Sequence, residues 1–454
     1  MSLLTGHRSR AGRLPTEILS MIFINCGHEW NVGSYEPKRL FGCQLTLPAV
    51  CHFWRRVALD LTALWTCVKI ANDPPYDLLE LFLSRSGVSP LDISVYMGKS
   101  IEDVDDETVS QSTARDIYCF LRRHCSPSRW KSFRLEINHI YSFSILATWP
   151  FTNKSTFPSL QSLDLNFTGS FPLGDHGTSL EEFLYNMRLE FSEPQAQLRF
   201  LKIRGLLSPH IFGTSFHRQL PGLVNLELHF SGKEDEWYTH RSDMPAARLL
   251  SPGPNAVQAL DTPKVHMPTL KTLSFLSISS PVWVLNHLLT LDAPNMTTFK
   301  LTLGEEPEEW FNGGRRAIRH LISYIATSGP VGTKRTPRPL FPSLTHITFS
   351  NSERFQEDME MFLAGYPKID SLALPECPTL QPMVKSALGL ANLKVGIKEV
   401  TELKDFLLAR REAGVPLRTV QVARSRLGGP IDASVLNELE ELVQFSLVDE
   451  LEED

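Results

Sequence analysis

The chain has 454 residues, of which 42% are hydrophobic and 21% are charged. These proportions are typical of folded globular proteins, and the length is enough for two to three domains. The formal net charge is −6, so the strong basic bias of a nucleic-acid-binding protein is absent. No apolar run reaches membrane-span length, and the basic segment 1–13 lacks the apolar core of a secretory signal. We therefore expect a cytoplasmic or nuclear protein that binds neither nucleic acid nor membrane.

The sequence carries no recognisable catalytic or metal-binding motif. G-x-G-x-x-G, H-E-x-x-H and G-x-S-x-G do not occur, and Gly329–Lys334 lacks the Gly-Lys pair of a phosphate loop. Cysteine and histidine are crowded between residues 26 and 67, but without the closely spaced cysteine pairs of zinc sites. The seven cysteines are an odd number and scattered, which indicates free thiols. We expect no enzymatic activity, no metal and no cofactor.

The first predicted helix begins near Leu14-Pro15-Thr16-Glu17-Ile18-Leu19. Proline suits a helix start because it lacks only an N–H that would be unpaired there. Ile18, Leu19, Ile22 and Phe23 then recur at helical spacing, and Gly27 is a plausible end. A second apolar set follows at spacings of three and four: Leu47, Val50, Trp54, Val57, Ala58 and Leu61. Two or three short helices cannot bury much surface alone, so they need the rest of the chain or another protein as a partner.

The order of these motifs resembles an F-box, the helical module by which substrate receptors dock on the Skp1 adaptor of cullin-type ubiquitin ligases. The resemblance is carried by LPTEIL at 14–19, VCHFWRRVA at 50–58 and Leu64-Trp65. It implies an adaptor-binding set of Leu14, Pro15, Glu17, Ile18, Leu19, Val50, Trp54, Leu64 and Trp65. The sequence departs from the family in a longer segment from His28 to Thr46, and in Thr62 where a proline is often found.

An internal repeat follows, of the form X-Pro-x-φ-x-x-φ-x-φ, where φ is apolar. Its copies begin at Phe157, Leu220, Met267, Ala293, Phe341 and Tyr366, with weaker copies at Leu198-Leu201-Ile203 and Leu417-Val420-Val422. From Leu198 the first φ positions advance in steps of 25, 47, 26, 48, 25 and 48. The period is therefore near 25, with some units degenerate or replaced by longer segments. This period is typical of a leucine-rich repeat, in which φ-x-φ is a short strand.

Helical stripes separate the predicted strands. They comprise Val284, Leu285, Leu288 and Leu289; Ile318, Leu321, Ile322 and Ile325; Phe355, Met359, Phe362 and Leu363; and Leu403, Phe406 and Leu407. Strands that alternate with such helices predict an α/β fold with a parallel sheet and helices on one side. We expect the proline to start each strand by fixing φ and removing a donor. Val435, Leu436, Leu439, Leu442 and Val443 predict an acidic cap for the C-terminal end.

The segment between the helices and the repeats reads as a helix over Tyr76–Gly87, then strands near Leu91–Val95 and Arg129–Leu135. The run from FLSRSGVSPLDISV to FPSLQSLDL resembles F-box proteins with leucine-rich repeats, which are abundant in mushroom-forming fungi. We therefore predict a short helical F-box followed by an irregular solenoid. The expected domains are 1–70 for the adaptor-binding helices, 71–150 for a linking helix and the first degenerate repeats, and 151–454 for the solenoid and its acidic cap.

The resemblance implies a substrate receptor of a Skp1-cullin-F-box ligase with an unknown protein target. Residues beside the φ positions point away from the helices, because side chains alternate along a strand. This rule gives a predicted target-binding set of Lys202, Arg204, Glu227, His229, Lys300 and His346. Polar residues are also ordinary on an exposed sheet face. Two other functions stay open: an interaction scaffold whose N-terminal helices only cap the solenoid, and a sensor of a small ligand. Exposed Leu14, Pro15 and Trp54 would favour docking over capping.

Overall fold

A computed structural model describes residues 14–29, 42–98, 107–152, 156–169, 194–205, 220–229, 264–278, 281–304, 313–328, 338–350, 356–377, 379–384, 386–429 and 431–449. The chain divides into two compact units, residues 1–198 and residues 199–454. The division falls later than the boundary expected at residue 150. Each unit is described by itself below.

Unit 1 begins with three helices. They are α1 (Thr16–Glu29), α2 (Gly42–Val50) and α3 (His52–Asp60), followed by a 3-10 turn at Thr62–Trp65. The first helix runs two residues past Gly27, the expected end. The second apolar set is split between α2 and α3 at Cys51, whose backbone is extended and whose thiol accepts a hydrogen bond from the N–H of Trp54. A side-chain cap of this kind starts a new helix by satisfying an N–H that has no helical partner.

The rest of the described part of unit 1 comprises four parallel strands and three helices. Its elements are β1 (Cys67–Ile70), α4 (Tyr76–Ser86), β2 (Leu91–Met97), α5 (Glu107–His124), β3 (Trp130–Ile137), α6 (Ile140–Thr152) and β4 (Ser162–Phe167). The register aligns apolar residues, with Val68 beside Ile93, Ile93 beside Phe133, and Phe133 beside Leu163. Strand β1, which ends at residue 70, pairs with β2 in this sheet. The expected domains 1–70, 71–150 and 151–454 stay a prediction.

Unit 2 alternates strands and helices over the described part of residues 199–454. Its strands and helices are β5 (Phe200–Arg204), β6 (Asn225–His229), β7 (Val265–His266), β8 (Thr272–Ile278), α7 (Pro281–Thr290), β9 (Leu291–Asp292), β10 (Thr298–Leu303), α8 (Gly313–Thr327), β11 (His346–Ser350), α9 (Gln356–Gly365), β12 (Ser371–Leu374), β13 (Asn392–Val395), α10 (Val400–Glu412), β14 (Thr419–Ala423), α11 (Ala433–Leu442) and β15 (Gln444–Val448). The four predicted helical stripes lie on α7, α8, α9 and α10, although Phe355 is outside the described residues.

The strands of unit 2 form one parallel ladder, in which the register between β8 and β10 shifts after Leu301. Its order is β5, β6, β8, β10, β11, β12, β13, β14 and β15, while β7 and β9 pair separately. The first strand φ of each repeat stacks on that of the next, from Leu201 and Leu226 through Leu273, Phe299, Ile347, Leu372, Leu393 and Val420 to Phe445. The predicted parallel sheet is confirmed, and the alternating α/β architecture is consistent with a repeat solenoid.

Helices cover the face of each sheet that carries the φ residues. Phe275 on β8 meets Trp283 on α7 at 5.9 Å between ring centroids, and Phe349 on β11 meets Phe362 on α9 at 5.0 Å. In unit 1, Phe143 on α6 meets Phe167 on β4 at 5.9 Å. The φ residues of the inner strands are almost fully buried, whereas their neighbours on the opposite face are mostly half-buried. This alternation is the expected signature of strands with one covered face.

Each described copy of the X-Pro-x-φ motif forms a tight turn before its strand, which differs from the expected strand start. In every described copy, the N–H of the φ residue donates to the carbonyl of X at 3.1–3.3 Å, as between Leu344 and Phe341. Proline is therefore the second residue of a four-residue turn, the position that its fixed φ angle favours. Two turns of the same kind lack proline, Gln195–Leu198 and Ala387–Leu390.

The ladder explains the doubled steps of the repeat in two ways. The step from Ile369 to Leu417 hides a complete unit, because Leu390 leads into β13. Its turn was not recognised from the sequence because Leu388 stands where most copies have proline. The other two doubled steps are single long units, since β6 pairs directly with β8 and β10 pairs directly with β11.

The end of the described chain also differs from expectation. Helix α11 includes most of the predicted cap stripe, and Leu439 and Val443 are buried. A further strand, β15, then follows and pairs with β14. The expected cap is therefore the helix of one more repeat unit.

Candidate functional site

The N-terminal helices share one apolar core that continues into α4. Its buried members are Leu19, Phe23, Cys43, Leu47, Val57, Ala58, Leu64, Trp65 and Phe82. The indole N–H of Trp65 donates to the carbonyl of Ala58 at 2.8 Å, and its ring lies 5.2 Å from that of Phe82. The buried amide of Gln44 donates to the carbonyls of Leu64 and Cys67 at 3.1 and 3.0 Å. These contacts tie the helices to the start of strand β1.

An exposed apolar surface lies on the other side of α1. Leu14, Ile18, Met21 and Ile22 are 36%, 45%, 60% and 40% exposed, and we call them the α1 surface. The spacing of Ile18, Met21 and Ile22 places these three on one face of the helix. Leu14 lies two residues before α1 and four residues before Ile18. Leu19 and Phe23 point into the core from the opposite face. A helix that is apolar on both faces leaves one of them without cover in the isolated chain.

The structure divides the predicted adaptor-binding residues into three groups. Leu14, Pro15, Glu17, Ile18 and Val50 are exposed. Trp54 is half-buried, with its ring 5.1 Å from that of Phe23. Leu19, Leu64 and Trp65 are core residues that no partner can reach in this conformation. They hold the helices together, so we leave them out of the contact surface.

Met21 and Leu45 were not among the predicted adaptor-binding residues, although both are exposed. Met21 lies three residues after Ile18, so helical spacing alone could have placed it on the same face. Leu45 stands in the segment where the sequence departs from the family, and its neighbours Gln44 and Leu47 are buried. Which of these side chains are exposed and which are buried could be assigned only once the bounds of α2 were known.

The predicted target-binding residues lie on the face of the unit 2 sheet that the described helices leave uncovered. Lys202 on β5 stands beside Glu227 on β6, and their Nζ and Oε1 atoms are 2.7 Å apart. Arg204 and His229 are neighbours in the same two strands. Burial lowers the pKa of His229, and the nearby Arg204 cation lowers it further. At neutral pH this histidine is therefore uncharged, and the local positive charge comes from lysine and arginine.

Lys300 and His346 lie farther along the same sheet. Lys300 is two strands from Glu227 in one cross-strand row, with Ser274 between them, which is a distance of about 10 Å. Its other neighbour in the row is Thr348. His346 is exposed, and its Nδ1 atom is 2.8 Å from the hydroxyl of Thr345. The six residues therefore share one face of the sheet. Four of them cluster on β5 and β6, whereas Lys300 and His346 stand apart from that cluster.

The described residues hold no group of three or more histidine, cysteine or acidic side chains that could bind a metal ion. None of the seven cysteines, all of which lie in the described residues, forms a disulfide. Burial raises the pKa of Cys125 and Cys377 to about 12. None of the described helices is long and apolar enough to cross a membrane. From their sequence, Ser231–Thr262 and Gly329–Pro339 are expected to be additions to the solenoid, either surface loops or a lid over the binding face. Ser231–Thr262 and most of Gly329–Pro339 lie outside the described residues.

Comparison with known proteins adds little. No protein-family model matches the chain, and no curated protein matches it. Among solved structures, the chain is similar to a crystal structure of a Bacteroides fragilis protein determined as a structural-genomics target. The sequence identity is 14%, the match covers 84% of this chain and 74% of that chain, and the TM-score is 0.29. A likeness of this strength carries no argument about function.

Proposed function

We propose that this chain is the substrate-recognition subunit of a Skp1-cullin-F-box ubiquitin ligase. In this proposal the α1 surface binds a Skp1-type adaptor, and the uncovered sheet face of unit 2 binds a target protein. The chain selects the target and performs no chemistry of its own. It acts in the cytoplasm or nucleus, where the ligase would be found.

The observation that carries the proposal is the exposure of the α1 surface within the segment that holds the Leu-Pro-x-Glu-Ile-Leu motif. Burying one aliphatic side chain of this size stabilises a complex by about 1.5–3 kcal/mol. Four such side chains on one surface are enough to anchor a partner, because interface energy is concentrated in a few residues. Glu17, exposed on the same helix, adds a polar group at the rim.

A second function, an interaction scaffold without a ligase, has its own support. Leu64, Trp65 and Gln44 join the N-terminal helices to β1 and α4, as a cap on a repeat domain would do. Trp54, one of the three residues that would separate the two functions, is half-buried. Capping and docking are compatible because they use opposite faces of α1, and only docking accounts for an apolar outer face.

The decisive experiment replaces two exposed residues, Leu14 and Pro15, that directly precede α1. The double variant Leu14→Asp, Pro15→Ala should no longer co-purify with Skp1, since a carboxylate would be buried in the contact. Its melting temperature should match that of the unmodified chain, because both residues are exposed. Leu388→Asp is the matched control: Leu388 is an exposed turn residue of unit 2 and 60% exposed. Normal co-purification of the double variant would refute adaptor docking and leave the scaffold function.

A further inference from the structure

The sheet face that the described helices of unit 2 leave uncovered carries an excess of positive charge. Side chains alternate along each strand, which assigns the described residues of β5 to β15 to one face or the other. The charged side chains of the uncovered face are four cations and one anion: Lys202, Arg204, Lys300, Lys394 and Glu227. With histidine uncharged, these residues carry a net charge of +3 in a chain whose net charge is −6. This face is therefore opposite in sign to the chain as a whole.

The three lysines of this face lie in one row across the strands. The strand register builds the row from Lys202, Glu227, Ser274, Lys300, Thr348, Ala373, Lys394, Gln421 and Ser446. Lys300 is three strands from Lys202 and three strands from Lys394. At the usual spacing of strands, each of these steps is about 14 Å.

The two halves of the row differ in the residues between their lysines. The first half contains Glu227, whose Oε1 atom is 2.7 Å from Nζ of Lys202. The second half contains Thr348 and Ala373, which are small and uncharged. A negative group would be repelled by Glu227 in the first half, whereas the second half offers Lys300 with no acidic residue in the row between it and Lys394. The second half is therefore the better site for an acidic partner.

Two acidic residues at the ends of these strands already have cationic partners. Asp370, directly before β12, lies 2.8 Å from Arg418. Glu376, which follows the same strand, lies 2.5 Å from Arg426. The charges at these two strand ends are therefore balanced locally, and the positive charge of the row is not offset there.

The distance between Lys300 and Lys394 limits the form of chain that can reach both. An extended chain advances about 3.3 Å per residue, so about four residues span 14 Å and their end side chains point the same way. An α-helix covers 14 Å in about nine residues, which turns the two end side chains to opposite sides. A nucleic-acid strand would bring about four phosphates to two lysines. An extended acidic peptide fits this spacing best.

We propose that the row from Lys300 to Lys394 binds an extended, acidic segment of the target protein, which lies across β10 to β13. Two carboxylates four residues apart in that segment pair with the two lysines, and the chain between them passes over Thr348 and Ala373. Charge complementarity of this kind contributes mainly specificity and speed of association. The inference rests on the proposed function only in taking this sheet face as the surface that meets the target.

The test uses the full chain and a fluorescein-labelled peptide of twelve residues, with glutamate at positions 5 and 9 and serine or threonine elsewhere. Fluorescence anisotropy at low ionic strength should show saturable binding that weakens with added salt. A peptide of the same composition with adjacent glutamates should bind several-fold more weakly, and one with lysine in place of glutamate should not bind. Absence of binding by the first peptide would overturn the proposal, and so would equal binding by either control. Tighter binding of a labelled oligothymidylate of the same length would assign the face to nucleic acid instead.

Two double variants separate this site from general attraction between charges. Lys300→Gln with Lys394→Gln removes both charges, and we expect it to bind the first peptide about fivefold more weakly, since each exposed ion pair contributes little. Lys368→Gln with Lys398→Gln is the matched control, because both lysines are exposed, lie in unit 2 outside the row and carry the same total charge. The control should bind almost normally. Equal losses in the two double variants would overturn the proposal.

Charge reversal adds a gain of binding that poor folding cannot imitate. Lys300→Glu with Lys394→Glu should lose the glutamate peptide and bind the lysine peptide, with the same preference for a spacing of four residues. A folded reversal variant that does not bind the lysine peptide would contradict the proposal. If the reversal variant does not fold, the glutamine variant decides.

Adaptor docking is measured separately, by co-purification with Skp1. The variant Leu14→Asp, Pro15→Ala should bind the glutamate peptide normally, and the variant Lys300→Gln, Lys394→Gln should co-purify with Skp1 normally. Loss of peptide binding with intact adaptor docking would refute this inference alone. Loss of adaptor docking with intact peptide binding would refute the ligase function alone.

Discussion

Arg410 is a charged residue whose side chain is fully buried in unit 2. Its guanidinium group bonds only to backbone carbonyls: Nε donates to Val415 at 3.1 Å, and the two terminal nitrogens donate to Met383 at 3.1 Å, Ala387 at 2.9 Å and Leu390 at 3.4 Å. Burial lowers the pKa of Arg410. The described residues between β12 and β13 contain only a 3-10 turn at Gln381–Met383. Arg410, which lies on α10, thus donates hydrogen bonds to backbone carbonyls that are not part of a helix.

We predict that Arg410→Ala lowers the free energy of unfolding by about 3–5 kcal/mol, because it leaves several buried carbonyls without a donor and opens a cavity. Arg410→Lys should recover only part of this loss, since an ammonium group cannot span the same carbonyls. Chemical denaturation measures both values. Arg411→Ala is the control, because Arg411 is exposed on the next position of α10, and it should change stability by less than about 0.5 kcal/mol. Equal effects of the two alanine variants would contradict this role of Arg410.

At the scale of the element, the four-residue turn that precedes most strands from β4 to β13 is the most regular feature of the described residues. It places a buried X side chain, such as Phe341 or Tyr366, beneath the next strand. Turns of adjacent repeats also touch: a Cβ atom on Gly389 would lie 2.6 Å from the carbonyl oxygen of Pro367. Glycine at this position therefore allows close stacking of two turns.

The turn at Ala387–Leu390 offers a stabilising substitution. Leu388→Pro places proline where six other copies have it, and it should raise the free energy of unfolding by about 0.4–1 kcal/mol by restricting the unfolded chain. Thermal denaturation measures the change. Ala391→Pro is the matched control, since the N–H of Ala391 donates to the carbonyl of Asp370 at 2.9 Å and its loss should destabilise. A loss of stability in Leu388→Pro would show that this turn differs from the others.

Elements with a strong local pattern were predictable from the sequence, and those without one were not. The stripes of α7, α8 and α10 and the strands after X-Pro turns were foreseen, because period and proline mark them directly. Strand β13 was missed because its turn has Leu388 instead of proline. Strand β15 was missed because it follows α11 without a turn motif, so the apolar stripe read as one helix. The break at Cys51 was missed because its capping thiol gives no periodic signal.

The candidate site was predictable only in part, for a related reason. A helical motif shows which residues are apolar but not which of its two faces the fold covers. Ile18 was therefore grouped with Leu19, although the two lie on opposite sides of α1. The sheet face was easier, because strand alternation fixes which side each residue occupies. The ion pair of Lys202 and Glu227 required the register between strands.

At the scale of the whole chain, the two predicted binding surfaces lie in different units, the α1 surface in unit 1 and the sheet face in unit 2. On the sheet face, Lys202 is already paired with Glu227. Lys300 differs from Lys202, because its neighbours on the two adjacent strands are the uncharged residues Ser274 and Thr348. A charge at Lys300 can therefore be changed without creating a like-charged pair in that row.

We predict that Lys300→Glu weakens binding of a target identified by affinity purification and mass spectrometry, and changes stability by less than about 0.5 kcal/mol. Lys202→Glu faces Glu227 and should itself cost about 0.2–1 kcal/mol of stability. The exchanged pair, Lys202→Glu with Glu227→Lys, should restore that stability. If target binding is unchanged in all of these variants and in Arg204→Glu, the target site lies instead in Ser231–Thr262 or Gly329–Pro339.

The first φ residues of the unit 2 strands stack on one another whatever the length of the connection between the strands. Leu201 pairs with Leu226, and Leu226 pairs with Leu273. The second connection is almost twice as long as the first, yet β5, β6 and β8 align without a shift. Doubling a connection adds only about 0.6 kcal/mol of loop-closure entropy, less than burying one methylene group contributes. Insertions between strands therefore change the free energy of unfolding very little. The connections can lengthen while the pairing of the strands is kept.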